Sequence, residues 1–281
     1  MITERIMNNT HTEILKSATS RAPVRVMAHL VAGYPSDSLA FAAARGLADG
    51  GVSYFEIQLP FSDPSADGRA IQTACAEVLS RGYKVEKGFR FVSKLRQLYP
   101  EIPVFIMTYG NLAFRPGIET FVRQAADAGA SGLIIPDLPF DSDEGLSEIC
   151  FKNGLVSVPV AAPSMTNERI ITLSGYGYQY IYAALRSGIT GTQTSIDVRT
   201  LEFLKVLGTF GARILGGFGI RNGEQAAVLV PVVHAVVAGS VFVDCIRTNA
   251  PDGESAVYTG ILALANTILY NTNKEAAIQS N

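Results

Sequence analysis

The sequence predicts a single parallel (β/α)8 barrel. Three observations carry that prediction. The chain has 281 residues, close to the roughly 250 that one such barrel takes. Eight short, near-continuous apolar runs recur along it, and helix-like segments lie between them. Strands covered on both faces read as unbroken apolar runs rather than as an alternation, which is what these runs look like. An open flavodoxin-like sheet is the alternative, but it would use only about five or six strands.

Taken in order, Val24 to Ala32 reads as the first strand, closed by Gly33-Tyr34-Pro35. Ser36 or Asp37 can then cap a helix running to about Asp49. Tyr54 to Leu59 is the second strand, followed by a long loop and helical stretches to about Tyr99. Pro100 and Pro103 bracket the turn into the third, Val104 to Tyr109. The remaining strands are Gly132 to Leu138, Val156 to Ala161, Tyr180 to Leu185, Arg213 to Phe218 and Ala235 to Val243. Helical patterns fall at Gly117 to Ala128, Arg199 to Phe210 and Gly223 to Leu229. Residues 1–23 form an N-terminal extension, 24–270 the barrel, and the polar stretch 271–281 a frayed tail. Ala226 to Val243 is an 18-residue apolar stretch, but Pro231 and His234 interrupt it. It reads as the end of a helix and then a buried strand, not as a membrane span.

Composition narrows the function. Apolar residues make up 48% and charged ones 17%, with a net charge of −2. No basic stripe is present, so neither nucleic acid nor a membrane is an expected partner. Cys75, Cys150 and Cys245 have no C-x-x-C spacing and read as free thiols of a reducing compartment. The first 23 residues have no apolar leader, which points to the cytoplasm. His11, His29 and His234 lie on separate elements, so no metal site is expected. No lysine falls on a predicted strand, which leaves a Schiff-base aldolase without its amine. Carbon–carbon or proton chemistry would then rest on carboxylates and tyrosines.

In a barrel, functional groups gather where strands end and βα loops begin. The second strand carries Glu56 in its apolar middle, and Asp67 follows eleven residues later in a loop that can fold back over the strand end. Two carboxylates in unlike surroundings can take unlike roles in proton transfer. Alternatively, Glu56 is a paired structural acid and Asp67 caps the next helix. Glycine clusters end three successive strands: Gly188 and Gly191, then Gly216-Gly217-Phe218-Gly219, then Gly239-Ser240. Backbone N–H groups approach an anion closely at such places, so a phosphate site is one reading and tight turns the other. Gly217-Phe218-Gly219 lacks the third glycine of a dinucleotide fingerprint.

Glu56, Pro60-Phe61-Ser62-Asp63-Pro64 and Ala66-Asp67-Gly68 together resemble the signature of the tryptophan synthase α subunit family. So do Gly33-Tyr34-Pro35, Tyr109-Gly110-Asn111, Arg186-Ser187-Gly188-Ile189-Thr190-Gly191, Gly217-Phe218-Gly219-Ile220 and Gly239-Ser240. The resemblance runs in register from about residue 24 to 270. It implies retro-aldol cleavage of indole-3-glycerol phosphate to indole and glyceraldehyde 3-phosphate. By it, Glu56 is the acid/base and Asp67 the acid that receives the indole N–H. His29, Ile71, Tyr109, Tyr182, Thr190 and Phe218 would line the substrate pocket, and Gly191, Gly219, Gly239 and Ser240 the phosphate cradle. Pro60, Asp63, Pro64, Asn111 and Asp137 would meet a β subunit in an α2β2 assembly. Pyridoxal phosphate would belong to that partner, with no cofactor in this chain. The alternatives are a degenerate α subunit acting as an allosteric activator, and a related barrel acting on another indole or sugar phosphate. Four positions depart from the family pattern: Gln58 for glycine, Ser65 for an apolar residue, Arg69 for proline, and His29 for an aromatic. Arg69 places a cation two residues from Asp67, and pairing between them would compete with substrate.

Overall fold

The computed structural model describes residues 25–185, 198–209, 211–217, 219–229 and 231–279, with side chains to residue 269. The described strands are β1 (Arg25–Val31), β2 (Tyr54–Gln58), β3 (Val104–Met107), β4 (Gly132–Ile134), β5 (Val156–Val158), β6 (Val160–Ala161), β7 (Tyr180–Ala184), β8 (Arg213–Gly217) and β9 (Ala235–Ala238). All pair in parallel, in the order β5-β4-β3-β2-β1-β9-β8-β7-β6. The two ends of that order are consecutive in the chain, so the sheet curls into a nearly closed barrel. The fifth predicted strand is thus two pieces. Its first part pairs with β4 and its second with β7. Pro159 stands between them; it has no N–H for a ladder, but its carbonyl accepts from Tyr182 N at 2.9 Å.

Helices surround the strands: α1 (Asp37–Asp49), α2 (Arg69–Ser80), α3 (Val85–Leu98), α4 (Gly110–Phe114), α5 (Ile118–Asp127), α6 (Leu146–Lys152), α7 (Asn167–Gly175), α8 (Val198–Gly208), α9 (Gly223–Leu229), α10 (Ser240–Asn249) and α11 (Glu254–Gln279). Ser36 caps α1 by accepting from Leu39 N at 3.3 Å, and Thr166 does the same for α7 with Arg169 N at 3.3 Å. The backbone of α11 runs on through Gln279, past the point where the sequence suggests a polar tail. No described helix is long and apolar enough to cross a membrane.

Two predicted strands end early. β4 stops at Ile134, because Pro136 soon follows and cannot donate to a ladder. β9 stops at Ala238, because the Gly239 backbone (φ −128°, ψ −73°) leaves the extended region and Ser240 opens α10. Val241 to Val243 are therefore helical, although their apolar run reads as strand.

The core has two parts. One lies between strands and helices and includes Val26, Ala28, Leu30, Phe55 and Ile57. The other fills the barrel and includes Met27, Tyr54, Phe105, Met107, Tyr180, Tyr182, Leu215 and Val237. Alternate residues of each strand thus face inward, as the pleat requires. Tyr54, Phe105 and Tyr180 make an edge-to-face layer with centroids 5.7–6.3 Å apart. Gly132 makes room for it: a Cβ there would meet the Phe105 ring at 2.8 Å and Val156 O at 2.6 Å.

Candidate active site

On β2 the inward positions above Tyr54 are Glu56 and Gln58. On β1 the position above Met27 is His29, and the register sets His29 directly beside Glu56. Nδ1 of His29 and Oε2 of Glu56 lie 2.8 Å apart, with both side chains buried. The loop after β2 folds back over the strand end and brings Asp67 down to the same place. Its Oδ2 accepts from Gln58 Nε2 at 2.7 Å and from the Tyr109 hydroxyl at 2.7 Å. Oδ1 takes neither bond. Tyr109 in turn accepts from Ala66 N at 3.0 Å and stacks on Phe61, centroids 5.1 Å apart. Gln72, on α2, donates to the Asp67 carbonyl at 2.9 Å.

Burial and neighbouring charge set the protonation states. Burial raises the pKa of Asp67, and His29 with the Tyr109 and Gln58 hydrogen bonds opposes that rise. Burial disfavours the His29 imidazolium, yet the Glu56 carboxylate beside it wins, and the His29 pKa is raised. Burial first, then Glu56 and Asp67, push the Tyr182 phenol well above its ordinary value. Burial and Asp67 do the same to Tyr109, so both phenols keep their protons.

Glu56, Asp67, His29, Ile71 and Tyr182 line one cavity of about 370 Å³, together with Gly219, Gly239 and Ser240. Its walls are apolar and come from Met107, Ile134, Val160 and Val237. Carboxylates stand at one side and the N-terminus of α10 at another. Tyr109 lies behind Asp67 rather than on the wall. Thr190, Gly191 and Phe218 lie outside the described residues. Sequence reading overlooked the apolar walls and gave Gln58 no contact. The available signal is the period of two, which puts Gln58 on the face that carries Glu56.

Two expectations about the carboxylates change. Asp67 does not cap α2, whose N-cap is Gly68 with no side-chain bond. Glu56 is indeed paired, to His29. Arg69 does not pair with Asp67: its side chain is exposed, and it lines a surface groove with Asp63 and Gln72. As the first residue of α2 it points away from the strand end, and neutral donors occupy Asp67 Oδ2 instead.

At the rim, Asp63, Asn111 and Asp137 are exposed. Asp137 Oδ1 accepts from Gly110 N at 2.9 Å and so ties the third and fourth βα loops together. Pro60 and Pro64 are buried, and Pro64 lines the same surface groove as Asp63 and Arg69. Among the described residues, no group of three His, Cys, Asp or Glu side chains converges as metal ligands would. The arrangement can exchange protons with a largely apolar molecule and hold an anion at the α10 N-terminus.

The profile of one protein family, described as tryptophan synthase alpha chain, matches residues 15–269. A tryptophan synthase alpha chain from Helicobacter hepaticus is 39% identical over 225 residues, covering 78% of this chain and 84% of that one. Another from Methanosarcina acetivorans is 40% identical over 223 residues, covering 79% and 80%. Among solved structures, Mycobacterium tuberculosis tryptophan synthase superposes with a TM-score of 0.80 at 25% identity, over 94% of this chain and 98% of that one. The tryptophan synthase α2β2 complex from Pyrococcus furiosus does so with a TM-score of 0.78 at 26% identity, over 88% and 98%.

Proposed function

The chain belongs to the tryptophan synthase alpha chain family, lyases of tryptophan biosynthesis, and on that premise we propose that it cleaves indole-3-glycerol phosphate. The observation that carries this reading is one apolar cavity with Glu56 and Asp67 on its wall and the α10 N-terminus at its edge. The indole ring lies between the apolar walls. Its N–H reaches Asp67 Oδ1, the oxygen left by Gln58 and Tyr109. Glu56 gives a proton to the ring carbon that bears the glycerol chain, and Asp67 stabilises the positive charge that develops on the ring. Loss of the hydroxyl proton to Glu56 lets the electron pair of the adjoining C–C bond return to the ring. Indole and glyceraldehyde 3-phosphate separate. Gly219, Gly239 and Ser240 hold the phosphate, with Gly191 as the further member implied by resemblance.

The chemistry runs on this chain's own carboxylates in the cytoplasm, with neither a Schiff base nor a metal. A β subunit binds the exposed rim at Asp63, Asn111 and Asp137 in an α2β2 assembly and carries the pyridoxal phosphate. The test is indole release from indole-3-glycerol phosphate by the purified chain, with and without a β subunit. Release by the chain alone, increased by the partner, is the expected result. Stimulation of the partner without any release would favour the activator alternative, and the absence of both would overturn the reading.

A further inference from the structure

Each of the two carboxylates has a buried polar partner that the apolar packing of the barrel does not require. His29 holds Glu56 Oε2 at 2.8 Å, and Gln58 holds Asp67 Oδ2 at 2.7 Å. Burying an imidazole and a primary amide in an apolar barrel is unfavourable unless their polar atoms are used. Each uses one. His29 Nε2 and Gln58 Oε1 are both buried and have no hydrogen-bond partner among the described residues. His29 also lines the cavity, so its ring stands next to the reacting groups rather than behind them.

We propose that His29 is a positioning residue that pins Glu56 by one oxygen and shares with it the proton used in cleavage, with Gln58 as the corresponding anchor of Asp67. The inference rests on the lyase reading. The Nδ1–Oε2 bond fixes one carboxylate oxygen and leaves the other for the substrate. The bridge keeps the Nδ1–H of His29, and the pair holds one further proton, shared between the imidazole and Glu56. That proton passes from Oε1, the free carboxyl oxygen, to the ring carbon and leaves Glu56 ionised against neutral His29; the same oxygen then takes the proton of the glycerol hydroxyl, so the pair ends each cleavage as it began. Gln58 donates a neutral N–H to Asp67, which orients that carboxylate without adding a charge beside the indole N–H.

The groups that face His29 are few. Glu56 comes from β2 and Asp67 from the loop after it, both raising the imidazole pKa, and the Gln58 amide acts in the same sense. Tyr109, just past β3, donates to Asp67, and Tyr182 from β7 keeps its proton beside the carboxylates. Just past β9 the neighbour is Gly239, which carries no charge and whose added Cβ would lie 3.2 Å from that of His29. The shared proton is therefore kept above the ordinary histidine value of about 6.5 and lost as pH rises further.

The experiment compares kcat and KM across that range for the wild type, His29→Phe and His29→Gln. The wild type is expected to lose kcat on the alkaline side as the pair gives up its proton. His29→Phe should move that limb at least about one pH unit lower and reduce kcat about 10–100-fold, with KM little changed. His29→Gln, which restores an N–H donor to Glu56, should recover part of kcat but leave the limb displaced. Limbs at the same pH in all three proteins would overturn the proposal. An NMR titration of the His29 ring, identified by its loss in His29→Gln, supplies a readout independent of turnover and of the folding of His29→Phe. Glu56→Gln should lower the His29 midpoint; an unmoved midpoint overturns the pairing. A wild type that releases no indole overturns the lyase reading instead, while the titration still decides the pair.

Discussion

Glu56 and Asp67 carry the same functional group and differ in what touches them. Asp67 has one oxygen saturated by two neutral donors, Gln58 and Tyr109. Glu56 faces an imidazole that can be charged. That contrast suits Asp67 to receive an N–H and Glu56 to exchange protons. Replacing Glu56 by Gln keeps the shape and a hydrogen bond to His29 but removes the exchangeable proton. Glu56→Gln is therefore expected to fold, to retain glycerol phosphate binding, and to lose at least about 100-fold in indole release. Near-normal turnover of the folded variant would refute the assignment. Arg69 is the opposite case. It is exposed and away from the Asp67 side chain, so Arg69→Pro should change the basal rate less than about 2-fold, within the small effect usual for surface substitutions.

At the level of elements, the site depends on short parallel strands whose inward residues stack in layers. β7 sends Tyr180 to the aromatic layer and Tyr182 to the cavity, one pleat apart. The neighbouring inward position on β8 is Gly217, which leaves room for the Tyr182 ring. A Cβ at Gly217 would clash with the Tyr182 hydroxyl and lie 2.7 Å from the ring carbon that bears it. The phenol must then shift, and the cavity wall with it. Gly217→Ala should lower kcat about 10–100-fold, since small displacements near a reacting group have effects of that order. The fold should survive, because the shift is confined to the end of one side chain. Thermal unfolding together with turnover would check this; a variant as active as the wild type would show that Tyr182 does not shape the site.

Across the whole molecule the barrel separates stability from chemistry. The carboxylates occupy the carboxyl ends of the strands, while the opposite end is closed by the aromatic layer, with Arg25, Arg213 and His234 beside it. There the Tyr54 hydroxyl and His234 Nε2 share a hydrogen bond at 3.0 Å, and Arg213 donates to the Tyr180 hydroxyl at 3.1 Å. Burial, then Arg25 and Arg213, hold the His234 pKa down to about 3. Its folded form is neutral between that value and the ordinary histidine value of about 6.5, whereas the unfolded chain takes up a proton there. Stability attributable to His234 is thus present above about 6.5 and falls as pH drops toward about 3. His234→Gln keeps a hydrogen-bonding group for Tyr54 and does not titrate. Its unfolding free energy should fall less steeply with acid, by up to one proton of uptake. Denaturant unfolding at several pH values would measure this, and parallel curves for the two proteins would contradict it.

The order of strands and helices was legible in the sequence, because parallel strands covered on both faces must be apolar throughout and their caps and turns are local signals. The same continuity hid which residues face inward: all of Tyr54 to Gln58 is buried, and the barrel's pleat turns Glu56 to the cavity wall and Gln58, on the same face, to Asp67. Motif resemblance singled out Glu56, Asp67 and the glycines at Gly219 and Gly239, since their spacing lies within single loops or strand ends. It put His29 in the pocket and marked it, with Gln58, as a departure, but gave neither a partner. Their contacts join β1 to β2 and β2 to the loop after it, so they exist only once strand register is set. Arg69 went the other way: two residues from Asp67 in the chain, it is carried off by the first turn of α2. The apolar run from Ala235 also misled, because the backbone at Gly239 turns it into α10. Local chemistry determined the elements and the acids; the register of neighbouring strands decided which polar groups meet them, because hydrogen bonds of this kind depend on separations that chain order does not contain.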